Sequence, residues 1–177
     1  MKDTDNYSRI IAGTMTWGKW GKQLSQQQME QLMHHCLDLK INTFDHADIY
    51  GDYTTEEQFG AAFANSSIKR EDIHLISKCG IQLNGESRGN KVAHYSYSKD
   101  YIIWSAERSL KMLQTDYLDV LLLHIPSPLM HPEEVYEAIS QLKKEGKIRQ
   151  FGVSNFTTSQ IEMIEKIVPV ECNQVEF

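Results

Sequence analysis

Cysteine is scarce in this 177-residue chain, and the three present, Cys36, Cys79 and Cys172, are widely spaced. Their odd number and spacing exclude a disulfide framework and a CxxC metal or redox motif. Proline is sparse too, at four, and the ten glycines follow no period, so neither a collagen-like repeat nor a proline-rich disordered segment fits. Long apolar runs are missing: stretches such as Val120–Leu123 stop at four residues, against the ~20 a membrane-spanning helix needs. The opening residues, MKDTDNYSR, lack the apolar core of a secretory leader. No Lys/Arg-rich run interrupts a net charge of −6, which argues against nucleic acid and anionic membranes as partners. These absences lead us to expect a soluble, cytoplasmic protein. At this length, residues 1–177 read as one domain.

What is present is a repeated β-then-α unit. RIIAG (9–13) is β-branched and runs into glycine. Ser25 and Gln28 then form a capping-box pattern. Behind it Met29, Leu32, Met33, Cys36 and Leu37 share one helical face. INTFD (41–45) reads as a second strand, a helix follows around 56–64, and IHLISK (73–78) is the third strand. After a polar stretch (82–97), Ser98 caps a helix with Ile102, Ala106, Leu110 and Leu113 inward. YLDVLLLH (117–124) is continuously hydrophobic, as strands buried on both faces are. The next helix opens near Pro132 with Glu133 and Glu134, closes with Lys143 and Lys144, and stops at Gly146. IRQFGVS (148–154), a helix capped by Thr157 or Thr158, and PVECNQVEF (169–177) complete the pattern. Six strands alternating with five helices predict an α/β fold with parallel strands.

Spacing selects among α/β folds. The strands begin near Arg9, Ile41, Ile73, Tyr117, Ile148 and Val170, mostly about 31 residues apart, which is a ~250-residue (β/α)8 barrel divided by eight. A dinucleotide-binding Rossmann sheet would open with G-x-G-x-x-G. GTMTWGKWGK, with glycines at 13, 18 and 21, does not match it. The chain therefore reads as about six of the eight units of a TIM barrel.

In such barrels function gathers at the C-terminal ends of the strands. Those positions hold Thr14 and Trp17, then Asp45 and Tyr50, Lys78, His124, Ser154 with Asn155, and Gln174. Four ionisable groups, Asp45, Tyr50, Lys78 and His124, thus converge on one rim. A phenol ordinarily titrates near ~10, and an ammonium held close favours its ionised form. A carboxylate such as Asp45 keeps that ammonium charged, and His124 adds a donor for a substrate oxygen. The group is suited to polarise and protonate an oxygen while an electron pair reaches its carbon, the demand of carbonyl reduction. No side chain supplies a hydride, so a nicotinamide cofactor is implied.

The motifs FDHADIYG with Asp45 and Tyr50, ISKCG with Lys78, LLLHIPSP with His124, and FGVSNF followed by NQVEF arrive in order. In these the chain resembles the aldo-keto reductases, a superfamily of (β/α)8 NAD(P)H-dependent oxidoreductases. The resemblance implies Tyr50 as general acid, Lys78 and Asp45 as its tuning groups, and His124 as the residue orienting the carbonyl. It further implies that Ser154, Asn155 and Gln174 bind the nicotinamide carboxamide. Gly13, Thr14, Met15 and Asp45 would lie along the cofactor, NADPH with NADH as the alternative. Trp17, Tyr50 and His124 would face a small-molecule carbonyl substrate.

Three departures stand out. His46 replaces the small residue that usually follows the aspartate, as in a bacterial subgroup with DHADIYG. About three extra residues separate Tyr50 from the 56–60 stretch, so the second helix should start late. The chain also stops after strand six, before the units that grip the adenosine 2′-phosphate and close the substrate pocket in this family. A polypeptide of these residues alone is therefore expected not to be a competent NADPH reductase.

Competing readings attach to several residues. Asp45 and Lys78 would also suit a structural ion pair. His46, Asp48 and His124 fall short of a metal site without a further ligand. Cys79 reads as a small hydrophobe lining the barrel rather than a redox centre. Trp17 has a packed loop anchor as its alternative, while Trp20 and Trp104 carry no functional argument. The polar stretch 82–97 is long for a barrel loop, which places His94 and Tyr95 either at substrate or in solvent. A cofactor-binding regulatory protein on the same barrel, or an inactive fragment, is the functional alternative. No residue pattern specifies an oligomer.

Overall fold

A computed structural model describes residues 7–176. Residues 1–6, where the leader was sought, and Phe177, the last residue of the sixth strand run, lie outside that description.

Six parallel strands make one curled sheet: β1 (Ala12–Gly13), β2 (Thr43–Asp45), β3 (His74–Cys79), β6 (Leu118–Leu123), β7 (Ile148–Ser154) and β8 (Asn173–Gln174). They lie in the order β1-β2-β3-β6-β7-β8. The arrangement corresponds to six of the eight units of a (β/α)8 barrel. A separate antiparallel pair, β4 (Ile81–Gln82) and β5 (His94–Tyr95), spans most of the 82–97 stretch from one residue before it. Two residues per strand leave no alternation to read, so this hairpin was not legible in the sequence.

Helix boundaries follow the capping chemistry. α1 (Gln26–Asp38) begins at Ser25, whose hydroxyl accepts from the Gln28 amide while the Gln28 side chain accepts from the Ser25 backbone. The same box at Thr157 and Gln160 starts α6 (Thr158–Ile164). α4 (Lys99–Leu113) is capped by Ser98. α5 (Pro132–Lys144) has its prolyl residue where no amide donor is needed, acids at its start and lysines at its end. α3 (Thr55–Ala64) follows a four-residue turn, α2 (Tyr50–Tyr53). Gly60 lets α3 reach the end of α4, since a Cβ there would lie 2.0 Å from the Met112 carbonyl oxygen.

The central strand β6 is buried on both faces and is apolar at every position but Asp119. Outside, Phe44, Leu75, Leu121 and Phe151 pack with helix residues Met29, Met33, Phe59, Ile102, Val135 and Ile139. Inside, Ile76, Val120 and Leu122 line a hollow of about 460 Å3, shared with Tyr7 and Gln150. No helix among the described residues is long and apolar enough to cross a membrane.

Candidate active site

Parallel register places the strand ends on one rim. Gly13 lies opposite Asp45, Asp45 opposite Ile76, Lys78 opposite Leu122, and Ser154 opposite Gln174. Asp45 closes β2, Lys78 sits one residue short of the end of β3, and His124 follows β6. Lys78 is buried, and its ammonium spends its donors on three neighbours. Nζ reaches Asp45 Oδ1 and Oδ2 at 2.7 and 2.8 Å, the His46 carbonyl at 2.8 Å and the Tyr50 hydroxyl at 3.1 Å. A buried ion is tolerable only when so satisfied.

His124 stands near-perpendicular to Tyr50, with ring centroids 6.2 Å apart. Burial, with the charge of Lys78, lowers His124 from 6.5 to about 3. At neutral pH it is an uncharged imidazole with one N–H to offer. Its Nδ1 is buried without a partner.

A polar shelf faces this group. Asn155 adopts a left-handed backbone (φ 59°) at the end of β7. Its amide donates to the Gln174 carbonyl at 2.8 Å, its side-chain Nδ2 to Ser154 Oγ at 3.3 Å, and its Oδ1 accepts from the Glu176 amide. Gln174 Oε1 is buried and unpartnered. Together Asp45, Tyr50, Lys78 and His124, with Ser154, Asn155 and Gln174, line a cavity of about 230 Å3, to which Val175 and Glu176 also contribute. Those last two had no sequence signal beyond adjacency to Gln174. The shelf's hydroxyl, amides and orphaned acceptor suit a primary carboxamide, so the residues present fit the nicotinamide end of a cofactor.

Gly13, Thr14 and Met15 are not among the cavity's lining residues. Gly13 pairs with Asp45 in the sheet, Thr14 is buried, and Met15 is half-exposed beside them. The Thr14 hydroxyl donates to the Asp45 carbonyl at 2.9 Å. Its 2.9 Å contact with His46 is therefore donated by Nδ1–H, which fixes the tautomer and leaves Nε2 buried without a partner. His46 thus braces the β1 loop against β2.

The two loop tryptophans divide differently from the sequence reading. Trp17 is 8% exposed and packs against Phe44 and Phe59, the arrangement of a loop anchor. Trp20 is 42% exposed, with its ring centroid 6.3 Å from that of Tyr50. The spacing WGKW offered no means to tell which ring faces outward. His94 and Tyr95 are exposed hairpin residues outside the cavity. Cys79 is 1% exposed, and burial pushes its thiol well above the usual range. No group of three His, Cys, Asp or Glu among the described residues could hold a metal.

The rim brings a buried ammonium to a phenol at the C-terminal ends of parallel strands, the place where barrels of this kind carry their sites. The chain belongs to the aldo/keto reductase family, whose model matches residues 9–177. It is 47% identical over 174 residues to the uncharacterized oxidoreductase YcsN of Bacillus subtilis strain 168, covering 97% of this chain and 57% of that protein. It is 33% identical over 180 residues to the 6-dehydroglucose reductase of Agrobacterium fabrum strain C58, covering 100% of this chain and 60% of that one. Among solved structures, the holo form of the aldo-keto reductase AKR11C1 from Bacillus halodurans superposes with a TM-score of 0.81 at 29% identity, over 97% of this chain and 54% of that one. The glycerol dehydrogenase AKR11B4 from Gluconobacter oxydans gives 0.82 at 29% identity, over 96% and 51%. The chain thus spans a little over half the length of the relatives it matches.

Proposed function

We propose that the protein reduces an aldehyde or ketone to an alcohol with a nicotinamide cofactor, NADPH or its alternative NADH, and that Tyr50 is the general acid. The observation that carries this reading is the Lys78 ammonium, bonded at once to the Asp45 carboxylate and the Tyr50 hydroxyl. A substrate carbonyl oxygen in the cavity accepts from the Tyr50 hydroxyl and from a neutral His124 N–H. The nicotinamide, when bound, supplies the hydride. As the carbonyl carbon gains its new C–H bond, the C=O π pair moves to oxygen, which takes the phenolic proton. The charge left on Tyr50 faces Lys78, already held in place by Asp45, so no group must reorganise to meet it. Ser154, Asn155 and Gln174 would hold the carboxamide.

The test is NADPH consumption with 4-nitrobenzaldehyde and a panel of small ketones by these residues in the context of a complete barrel, run beside cofactor binding by fluorescence. Turnover with alcohol as product is expected. A protein that binds NADPH and reduces none of the panel would favour the regulatory reading instead.

A further inference from the structure

Tyr50 is followed by three successive residues with left-handed backbone: Gly51 (φ 60°), Asp52 (φ 59°) and Tyr53 (φ 68°). A glycine adopts this readily, whereas Asp52 and Tyr53 do so only when their surroundings hold them there. They sit directly beside the proposed acid.

Several contacts hold this turn, among them the Lys19 pair with Asp52 at 2.9 Å, and one side chain outside the cavity, Arg88, touches both of its flanks. Arg88 Nη2 lies 3.4 Å from Oδ2 of Asp48, two residues before Tyr50. The same guanidinium stacks 3.8 Å from the ring centre of Tyr53, three residues after it. Its Nη1 donates to the Tyr101 hydroxyl at 3.0 Å, and that hydroxyl donates onward to Asp48 at 3.1 Å. α4 adds Ser105, which donates to Asp48 at 2.9 Å, and Arg108, which donates to the Tyr53 carbonyl at 3.1 Å. The Leu83 amide donates to the Tyr53 hydroxyl at 2.8 Å. Arg88, Asp48 and Tyr53 are all buried or nearly so, and none of them lines the cavity.

We infer that Arg88 is a positioning residue for Tyr50: by gripping Asp48 on one flank and Tyr53 on the other, it holds the left-handed turn in the shape that keeps the Tyr50 hydroxyl on Lys78. A guanidinium suits this place because it spends Nη2 on the Asp48 carboxylate and Nη1 on the Tyr101 hydroxyl while its carbon lies over the Tyr53 ring. Lysine can supply the charge but not both contacts. The kinetic part of this inference rests on Tyr50 being the acid; the structural part does not.

The experiment places 3-fluorotyrosine at position 50 and reads its fluorine resonance in the parent, Arg88→Lys and Tyr53→Leu proteins, each checked for folding by circular dichroism. One sharp resonance is expected in the parent, and a shifted, broadened or split one in both variants. Beside it, Arg88→Lys in otherwise unlabelled protein should lower kcat about 10- to 100-fold, the cost of a misplaced catalytic group, with cofactor Kd unchanged. Arg88→Gln combined with Asp48→Asn repeats the test without a lone buried carboxylate, should Arg88→Lys fail to fold. An unmoved resonance in folded variants overturns the inference. A parent that reduces no carbonyl overturns the proposed reaction instead, and leaves the fluorine result to decide the role of Arg88.

Discussion

Asp45 and Lys78 face each other across adjacent parallel strands, joined through both carboxylate oxygens at 2.7 and 2.8 Å. Both are nearly sealed from solvent, with side-chain exposures of 10% and 3%, so neither can be removed without stranding the other. Breaking a buried pair from one side typically costs about 3–5 kcal/mol. Asp45→Asn and Lys78→Met should each lower both stability and carbonyl reduction. Because they act on the same proton through one chain of contacts, the double variant should lose clearly less than the sum of the two. Activity losses that add in free energy would show that the two act separately.

Tyr50→Phe removes the phenolic proton while keeping the ring that packs near His124 and Trp20. Carbonyl reduction should fall ~10²–10⁴-fold, the usual loss of a general acid. Cofactor affinity, read by fluorescence titration, should stay close to that of the parent. A variant that keeps most of its rate would place the acid elsewhere.

Trp17 and Trp20 should separate in opposite assays. Trp17→Ala empties a packed site between Phe44 and Phe59 and is expected to cost about 3–5 kcal/mol in urea unfolding. Trp20→Ala should leave the unfolding midpoint nearly unchanged while raising KM for the carbonyl substrate. A stable Trp17→Ala protein with weakened substrate binding would restore the assignment the sequence suggested.

Stability should depend on pH in two opposed ways. Burial, then the charge of Lys78, takes both His46 and His124 from 6.5 to about 3. The unfolded chain takes up protons below 6.5 that the folded protein refuses, so this contribution is full above about 6.5 and is lost as pH falls toward 3. Glu56 runs the other way, raised by burial from 4.5 to about 7. Its contribution is full below 4.5 and is lost as pH rises toward 7. Urea midpoints measured from pH 4 to 8 should show His124→Asn flattening the acid limb and Glu56→Gln flattening the opposing one. If neither slope changes, burial is not setting these protonation states.

The barrel was legible because its signals are local and repeated. Ser25 with Gln28, Pro132 and Gly146 mark helix ends through backbone hydrogen bonding that a few adjacent residues decide. The rim was legible for a related reason: once strand ends are located, parallel register carries Asp45, Lys78, His124 and Gln174 to one side with no further information. What escaped depends on tertiary packing. Trp17 and Trp20 are three residues apart and chemically alike, and only the approach of Phe44 and Phe59 decides which one is buried. The grip of Arg88 on residues 48 and 53 crosses from a polar stretch with no periodic signal. The left-handed path of Asp52 and Tyr53 is dictated by those distant partners rather than by their own preferences.

The strand order has a kinetic meaning. Within the curled sheet every pairing joins barrel strands that follow one another along the chain, and every such pairing is parallel. Closing any one pair therefore requires only the chain of a single crossover unit, so the entropy of contact formation does not accumulate as the sheet widens. As the ribosome releases the polypeptide from its N-terminus, β2 can dock on β1, then β3 on β2, without waiting for residues still to be made. Asp45 and Lys78 would meet early in that order, and the amide shelf of Ser154, Asn155 and Gln174 would be the last part of the cavity to be added.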